Sequence, residues 1–401
     1  MNVTPETDLL LACARRFACT ASPAEFRDRA GHITDWPAAI SLARAHWMEP
    51  LAAWYLDTEC AELLPSAIRE VLRAAIHRSA VNFLLLSAEL IKVLCVLDAG
   101  GIRVVPLKGP VLAAMLCDEN PWRESCDLDL LVRPADITWA KDALIAAGYR
   151  LDSQLPGGEE NATFHWRSQL VLTRDGIGPS IDLHWQILPS LFPCARYFDS
   201  AWNRLETTVF HNQEIPAFSP EDQLFFLCAH AARHSWQSLR LAADVARLIH
   251  IRPNLDWDWL IRSARAADGT MVMALGLWMV SRLLNVELPA PVLEFVNATI
   301  GAKVFAQRLL ERLLSTPDEN ENFSDFGLQF KLAAGWWPKL QCTAAYALLP
   351  TDADGASLRL PRWLYLLYYP YRPARLAVKH GNKLLKSIRG GFPRPNHAAG
   401  A

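Results

Sequence analysis

Residues 126–132 read Cys-Asp-Leu-Asp-Leu-Leu-Val, an apolar run interrupted by two acids. The alternation predicts a β-strand, because successive side chains of a strand point to opposite faces. Asp127 and Asp129 then share one face, and the leucines beside them lie on the other. Neighbouring carboxylates repel each other, and a divalent cation offsets that repulsion. The stretch therefore predicts a strand with an acidic, metal-binding face.

A second stretch, Ile-Asp-Leu-His-Trp at residues 181–185, repeats this pattern with Asp182 and His184 on one face. A neighbouring strand can thus add a third carboxylate to Asp127 and Asp129. Oxygen ligands favour Mg²⁺ or Mn²⁺. Three carboxylates can hold two such ions about 4 Å apart for in-line displacement at a nucleoside triphosphate. For His184 we expect a supporting role, because imidazole is a poor ligand for Mg²⁺.

Groups suited to phosphate precede the acidic strand. Leu-Lys-Gly-Pro at residues 107–110 predicts a strand-to-helix junction. There Gly109 permits close approach of phosphate, the helix N-terminus offers N–H donors, and Lys108 adds a positive charge. Arg123 and Ser125 follow, and a guanidinium suits bidentate phosphate contact. Arg123 is equally suited to holding its loop, and for Ser125 that structural role is favoured.

Hydrophobic periodicity predicts an α+β fold, in which a small mixed sheet is enclosed by helices. The predicted strands are residues 103–107, 127–132, 171–173 and 180–185. Residues 134–147 predict a helix that Asp136 can cap, with Trp139, Ala143 and Leu144 on one face. The predicted domains are an N-terminal helical module (1–98), a catalytic domain (99–216) and a C-terminal helical region with a basic tail (217–401).

Charge and composition narrow the function classes. A net charge of −2 gives no general attraction to nucleic acid, which disfavours an enzyme acting on long nucleic acid. Nine cysteines without a CxxC pair predict buried thiols in a reducing compartment, so a cytoplasmic protein is expected.

The C-terminal tail is basic, because no acidic residue follows Asp354. Nine basic residues do: Arg359, Arg362, Arg372, Arg375, Lys379, Lys383, Lys386, Arg389 and Arg394. The tail predicts either a docked helix with a solvated basic face or peripheral contact with a membrane surface or another anionic partner.

A further motif, His-Ala-Ala-Arg-His, ends at His234. His230 and His234 can share a helix face as metal ligands do, but Ala231 stands where a zinc protease needs glutamate. With Arg240 and Asp244, these histidines are expected to organise the helical region against the catalytic domain. Binding of the nucleobase or the acceptor is the alternative.

Taken together, Leu-Lys-Gly-Pro, Trp-Arg-Glu-Ser-Cys-Asp-Leu-Asp-Leu-Leu-Val, Ile-Asp-Leu-His-Trp and His-Ala-Ala-Arg-His resemble the uncharacterised nucleotidyltransferase family of bacteria, a branch of the DNA polymerase β superfamily. The resemblance covers roughly residues 30 to 380. It implies a minimal nucleotidyltransferase fold with helical additions and dependence on Mg²⁺. Asp127 and Asp129 match the family's carboxylate pair, and Asp182 matches its third carboxylate.

The implied reaction moves a nucleotidyl group from a nucleoside triphosphate such as ATP to an unidentified acceptor. Members of the family often accompany genes for polysaccharide or peptide natural products, which suggests a small molecule, a glycan or a peptide as acceptor. The wider superfamily has a glycine-serine signature where this chain has Lys108 and Gly109. The serine contact to phosphate is therefore missing.

Three alternatives stay open. Catalytically degenerate members of such a family bind a nucleotide or a partner without turnover, and the altered signature is compatible with that role. A glycosyltransferase also uses an Asp-X-Asp motif, but it predicts a Rossmann-like subdomain before the motif, where this chain has helical periodicity. A tRNA nucleotidyltransferase has only the basic tail in its favour.

Overall fold

The computed structural model describes residues 4–117, 122–152, 168–174, 178–188, 192–314, 332, 336–348, 350, 352–358 and 360–378. The chain divides into two compact units. The first contains residues 1–152 and 168–339, and the second contains residues 153–167 and 340–401. The predicted boundaries at residues 98 and 216 both lie within the first unit and remain predictions.

The first unit opens with helices α1 (Pro5–Phe17), α2 (Pro23–Gly31), α3 (Trp36–Ala45), α4 (Glu49–Glu59) and α5 (Ser66–Ala99). The first three begin alike: Thr4, Ser22 and Asp35 each accept a hydrogen bond from the backbone N–H three residues later, and a proline follows in the first turn. Such caps satisfy N–H groups that have no partner within the helix. The helices expected in the first quarter of the chain are therefore present.

Helix α5 runs for 34 residues and leads into the sheet. Its buried apolar residues recur every three or four positions, as on one face of a helix: Leu72, Ala75, Phe83, Leu86, Leu90, Val93 and Leu97. By length and composition it is the one helix in the described part of the chain that is able to cross a membrane, and 33% of its most apolar window is buried. One such helix is weak support for a membrane span, because long core helices have the same composition.

The sheet has the strand order β1-β2-β5-β4-β3. Its strands are β1 (Val104–Pro106), β2 (Asp127–Val132), β3 (Arg150–Leu151), β4 (Gln169–Thr173) and β5 (Ser180–His184). Strands β2 and β5 are parallel, and the other neighbours are antiparallel. The predicted α+β class with a mixed sheet is confirmed, although β4 begins at Gln169, two residues before the predicted strand.

Helix α6 (Gly109–Cys117) follows β1, and α7 (Ile137–Ala146) follows β2 after a 3-10 turn (Pro134–Asp136). Two predictions for α7 are wrong: the side-chain cap by Asp136, and the shared face of Trp139 and Leu144. Asp136 makes no side-chain cap hydrogen bond, and Trp139 is 73% exposed whereas Leu144 is buried. Residues five positions apart on a helix are rotated by about 140°, so Trp139 cannot share the buried face with Leu144.

A hairpin that the sequence did not predict follows helix α8 (Tyr197–Ala201). Its strands are β6 (Glu206–Phe210) and β7 (Gln213–Ala217). The two turn residues, His211 and Asn212, both have positive φ, of 47° and 62°. Two-residue hairpin turns of this kind usually contain Asn-Gly or Asp-Gly, so the sequence signal here is weak.

The first unit continues with α9 (Pro220–Arg233), α10 (Leu239–Ile251), α11 (Trp257–Ala266), α12 (Thr270–Leu284), α13 (Ala290–Ala298) and α14 (Ile300–Leu314). Buried residues of these helices, of the N-terminal helices and of β1, β2 and α6 form one hydrophobic core. Helices from both sides of the α/β segment thus pack into a single core with it.

The second unit includes most of α15 (Trp336–Leu348), then α16 (Asp352–Ser357) and a 3-10 segment (Arg362–Leu367). Asp354 is fully buried and pairs with Arg372 at 2.7 Å and with Arg375 at 2.5 Å. Two cations of the basic tail are therefore internal ion-pair partners. The tail residues Lys379, Lys383, Lys386, Arg389 and Arg394 lie outside the described residues.

The cysteines only partly follow the prediction of buried thiols. Those at positions 13, 60, 117, 194 and 228 are buried, but Cys19, Cys95 and Cys126 are exposed, and the side chain of Cys342 lies outside the described part of the structure. Cys95 is exposed because it lies on the outer face of α5, and Cys126 because it precedes the buried part of β2.

Candidate active site

The parallel pairing of β2 with β5 builds the acidic face. Asp129 lies opposite Asp182 in the strand register, and Asp127 lies opposite Ser180. The intervening apolar residues are at most 1% exposed: Leu128, Leu130, Ile181 and Leu183. These apolar residues lie on one face of the sheet, so the carboxylates of Asp127, Asp129 and Asp182 lie together on the other face, as predicted from the alternation.

Asp129 is held at both oxygens. The Nε2 atom of His184 lies 3.1 Å from Oδ1 of Asp129, and the Nζ atom of Lys108 lies 2.9 Å from Oδ2. The side chains of Asp129 and His184 are each 5% exposed, so these contacts lie inside the protein. An ionised carboxylate only accepts hydrogen bonds, so Nε2 of His184 is the donor.

Asp182 is oriented by a residue that sequence reasoning missed. The Nε2 atom of Gln169 donates to Oδ2 of Asp182 at 3.0 Å. In the antiparallel pairing of β4 with β5, Gln169 lies opposite His184. The sequence pattern did not indicate Gln169 because this residue lies before the predicted strand at 171–173.

The three carboxylates differ in pKa. Burial raises the pKa of Asp127, and the negative charge of Asp129 adds to that effect. Burial also tends to raise the pKa of Asp129, but the hydrogen bond from His184 and the charge of Lys108 outweigh it and hold this pKa below its ordinary value. Burial and the charge of Asp129 raise the pKa of Asp182 to about 6. Asp129 is thus the carboxylate whose charged form the protein favours most, and Asp127 and Asp182 are less acidic than usual.

These residues fit a divalent metal ion. Ligand atoms of Asp129, Asp182 and His184 all lie within 4.8 Å of one another. Carboxylate oxygens suit Mg²⁺ or Mn²⁺, and an imidazole nitrogen is more compatible with Mn²⁺ than with Mg²⁺. The Nδ1 atom of His184 is buried and has no hydrogen-bond partner among the described residues. His184 therefore joins the closest potential ligands, and the metal-binding role of Asp127 stays a prediction.

The junction before α6 has the predicted backbone geometry. Gly109 has a φ of 70°, a left-handed conformation that disfavours any residue with a Cβ atom. A Cβ atom at this position would also lie 3.4 Å from the backbone oxygen of Asp127. Glycine thus lets the chain turn beside the first residue of the acidic strand, and it places Lys108 against Asp129.

Arg123 is engaged within the protein. Its Nε atom donates to both carboxylate oxygens of Asp244 at 3.1 Å, and its Nη1 atom donates to Oγ of Ser125 at 3.1 Å. The side chains of Arg123 and Asp244 are 4% and 3% exposed. These contacts match the loop-holding role of Arg123, and phosphate contact by Arg123 or Ser125 stays a prediction.

Other contacts hold the same segment, residues 122–126, at its backbone. Asn82 of α5 donates to the backbone oxygen of Ser125 at 2.5 Å. Arg240 of α10 donates to the backbone oxygen of Glu124 at 3.4 Å, and its guanidinium lies 5.7 Å from the ring centre of Trp47. Arg240 and Asp244 therefore connect the helical region to the loop before β2, in line with their predicted organising role.

The two histidines of α9 and the turn after it lie side by side. The ring centres of His230 and His234 are 4.6 Å apart, and Phe226 stacks on His230. Burial, together with nearby positive charges that include Lys108, lowers the pKa of His230 and lowers that of His234 to about 4. Both rings are therefore neutral at physiological pH. Their role in binding stays open.

Comparison with known proteins identifies the family of this chain. A family model described as an uncharacterised nucleotidyltransferase matches residues 32–285, well over half of the chain. No curated protein and no solved structure matches this chain. The matched range contains the acidic strands, the Lys-Gly junction and the histidine motif. The chain therefore belongs to this uncharacterised family of nucleotidyltransferases.

Proposed function

We propose that this protein is a metal-dependent nucleotidyltransferase that moves a nucleoside monophosphate from a nucleoside triphosphate to an acceptor and releases pyrophosphate. The observation that carries the proposal is the register of β2 and β5, which pairs Asp129 with Asp182 and brings both within 4.8 Å of His184. Membership of the family supports the reaction class. We further propose that the sheet is the minimal fold of the DNA polymerase β superfamily.

We assign Asp127, Asp129 and Asp182 to metal binding. The bound metal, Mg²⁺ or Mn²⁺, supplies the positive charge that neutralises the triphosphate. Lys108 and the backbone at Gly109 bind the phosphates. Arg123 and Ser125 are further candidates, although Arg123 first has to leave Asp244.

Asp182 is the proposed proton acceptor. In the metal-free protein, burial and the charge of Asp129 raise the pKa of Asp182 to about 6, so this carboxylate is largely ionised and able to accept a proton at neutral pH. The acceptor oxygen forms a bond to the α-phosphorus while its proton passes to Asp182. The bond between the α-phosphorus and the bridging oxygen breaks, and pyrophosphate leaves.

The acceptor is proposed to be a small molecule, a glycan or a peptide, and the reaction is proposed to take place in the cytoplasm. Long nucleic acid is disfavoured as acceptor by the net charge of −2. The nucleotide, ATP or another, is left to experiment.

The test is binding of each of the four nucleoside triphosphates, and release of pyrophosphate, with Mg²⁺ or Mn²⁺. Wild type is compared with Asp127→Asn, Asp129→Asn and Asp182→Asn, and with Asp258→Asn, which changes an exposed carboxylate of α11. The site variants should bind at least about tenfold more weakly, and Asp258→Asn should match wild type. Absence of triphosphate binding with either metal would overturn the proposal.

A second candidate is a catalytically degenerate protein that binds a nucleotide or a partner. The observation in its favour is the ion pair of Lys108 with Asp129, which neutralises the buried carboxylate without a metal. Triphosphate binding that needs no metal and leads to no pyrophosphate release would support it. A glycosyltransferase is disfavoured, because the described residues before β2 are helices apart from the short strand β1.

A further inference from the structure

The ammonium group of Lys108 contacts an oxygen of Asp129 that a metal ion at this site would use as a ligand. Its Nζ atom lies 2.9 Å from Oδ2 of Asp129, and their side chains are 18% and 5% exposed. Apart from this ion pair, Oδ2 is buried without another hydrogen-bond partner among the described residues. The positive charge of Lys108 is therefore the observed partner of this oxygen, while Oδ1 is bonded to His184.

A lysine ammonium and a divalent cation cannot both contact Oδ2 without strong repulsion. Two cations that share one oxygen lie only about 4 Å apart, and partial burial reduces the screening by water. A metal ion arriving alone must therefore displace the ammonium from Asp129. The other carboxylates of this face, Asp127 and Asp182, are proposed ligands of the same metal ion, so Lys108 gives up its ion pair with Asp129 without a free carboxylate to move to.

A triphosphate bound beside Lys108 would provide an anion for its ammonium group. The residue lies directly before the left-handed Gly109 and the N-terminus of α6, where the phosphates are expected. Its flexible four-carbon chain and partly exposed ammonium allow it to move from a carboxylate to a phosphate oxygen. Release of Lys108 and binding of the triphosphate then favour each other.

We propose that Lys108 is a built-in counter-cation that keeps Asp129 closed to metal alone and moves to the phosphates when the nucleotide enters, so that metal and triphosphate bind interdependently. This role rests on the proposed function and adds to it the order in which the site fills. By linkage, metal strengthens triphosphate binding by the same factor as triphosphate strengthens metal binding.

The test measures binding of Mn²⁺ by calorimetry at one fixed pH, with and without each α,β-methylene nucleoside triphosphate, which cannot be cleaved at the reacting bond. Wild type should bind Mn²⁺ at least about tenfold more tightly with the preferred analogue present. Lys108→Met should bind Mn²⁺ alone about tenfold more tightly than wild type, and the analogue should add little. Lys108→Arg, which keeps the charge, should behave like wild type.

Lys92→Met is the matched control, because Lys92 forms a 3.0 Å ion pair with Glu89 of the same helix, outside the candidate site. Equal or weaker binding of Mn²⁺ alone by both Lys108→Met and Lys108→Gln would overturn the role of Lys108. If those affinities are unchanged but Asp129→Asn and Asp182→Asn abolish binding, the metal site stands without the counter-cation. Mn²⁺ binding that survives in Asp129→Asn and Asp182→Asn would overturn the proposed function itself.

Discussion

At the scale of single residues, Asp182 carries a charge that the fold does not favour. It is half-buried and lies opposite Asp129 on the paired strand, which raises its pKa from 3.8 to about 6. The folded protein therefore holds this proton more tightly than the unfolded chain does. Such a group stabilises the fold fully at pH values below its unfolded pKa, and the stabilisation is lost as the pH rises through its folded pKa.

Asp182→Asn should accordingly stabilise the metal-free protein at neutral and alkaline pH. We expect a gain on the order of 1 to 2 kcal/mol at pH 8, after allowance for the partial exposure of the carboxylate. At pH 4 the folded wild type already carries a neutral Asp182, so the two proteins should have similar stability. Urea unfolding between pH 4 and pH 8 in the presence of a chelator measures this difference.

Asp258→Asn serves as the control, because Asp258 is exposed. Its difference from wild type should stay small across the whole pH range. A gain in Asp182→Asn that is equal at pH 4 and pH 8 would show that packing, and not ionisation, causes it.

Alternation was enough to predict which residues share the acidic face, because the period of a strand is independent of its partners. It could not predict that Lys108 contacts Asp129 or that Gln169 contacts Asp182. Those contacts depend on the strand order, in which β5 lies between β2 and β4. Strand order brings together residues that are far apart in the chain, so the local alternation pattern cannot predict it.

At the scale of elements, residues 122–126 are held in place by helices from distant parts of the chain. The buried pair of Arg123 and Asp244 joins residues 121 positions apart and connects this segment to α10. The sequence therefore left phosphate binding and loop structure as equal alternatives for Arg123. Only the packing of α10 against the loop shows that its guanidinium has a partner inside the protein.

A double-mutant cycle on this pair separates the two roles. Arg123→Met or Asp244→Leu alone leaves a buried charge without its partner, which should lower the free energy of unfolding by about 3 to 5 kcal/mol. The double variant should lose clearly less than the sum of the two single losses. Denaturant unfolding measures all four proteins.

Triphosphate binding by the double variant then decides the role of Arg123. If the variant is folded and binds triphosphate as wild type does, Arg123 acts only on the loop. A loss of binding in the double variant and in Arg123→Met, but not in Asp244→Leu, would instead assign Arg123 to the phosphates.

Elements with strong periodicity were predictable and elements without it were not. Strand β2 has the predicted bounds, and α5 (Ser66–Ala99) lies almost wholly within the predicted N-terminal helical module. The hairpin of β6 and β7 was missed because its turn lacks glycine, and the left-handed conformations fall on His211 and Asn212. The predicted face of α7 was wrong because Trp139 and Leu144, five positions apart, point in directions that differ by about 140°.

At the scale of the whole molecule, the α/β segment and the helices on both sides of it share one hydrophobic core. The family match covers residues 32–285 and so includes helices from both sides of the sheet as well as the sheet itself. Substitutions in distant core helices should therefore affect the site through folding. For this reason each binding experiment has to be accompanied by a measurement of stability.

The basic tail has nine basic residues and no acidic residue after Asp354, and two of its cations are held in internal ion pairs. Arg372 and Arg375 pair with the buried Asp354. The remaining charge is concentrated after residue 378, in Lys379, Lys383, Lys386, Arg389 and Arg394. Each basic residue near an anionic membrane surface contributes about 1 kcal/mol of binding, so we expect these residues together to support peripheral contact.

We therefore expect the full chain to bind vesicles that contain phosphatidylserine, more weakly as salt is added, and not to bind neutral phosphatidylcholine vesicles. Reversing Lys379, Lys383 and Lys386 to glutamate should weaken binding by at least about tenfold. The matched control reverses three exposed basic residues of the first unit, Arg262, Lys303 and Arg308, with the same change in net charge. Equal losses in both variants would show that net charge alone drives the contact. Absence of binding even at low salt would contradict peripheral membrane contact by the tail, because exposed cations are attracted to an anionic surface.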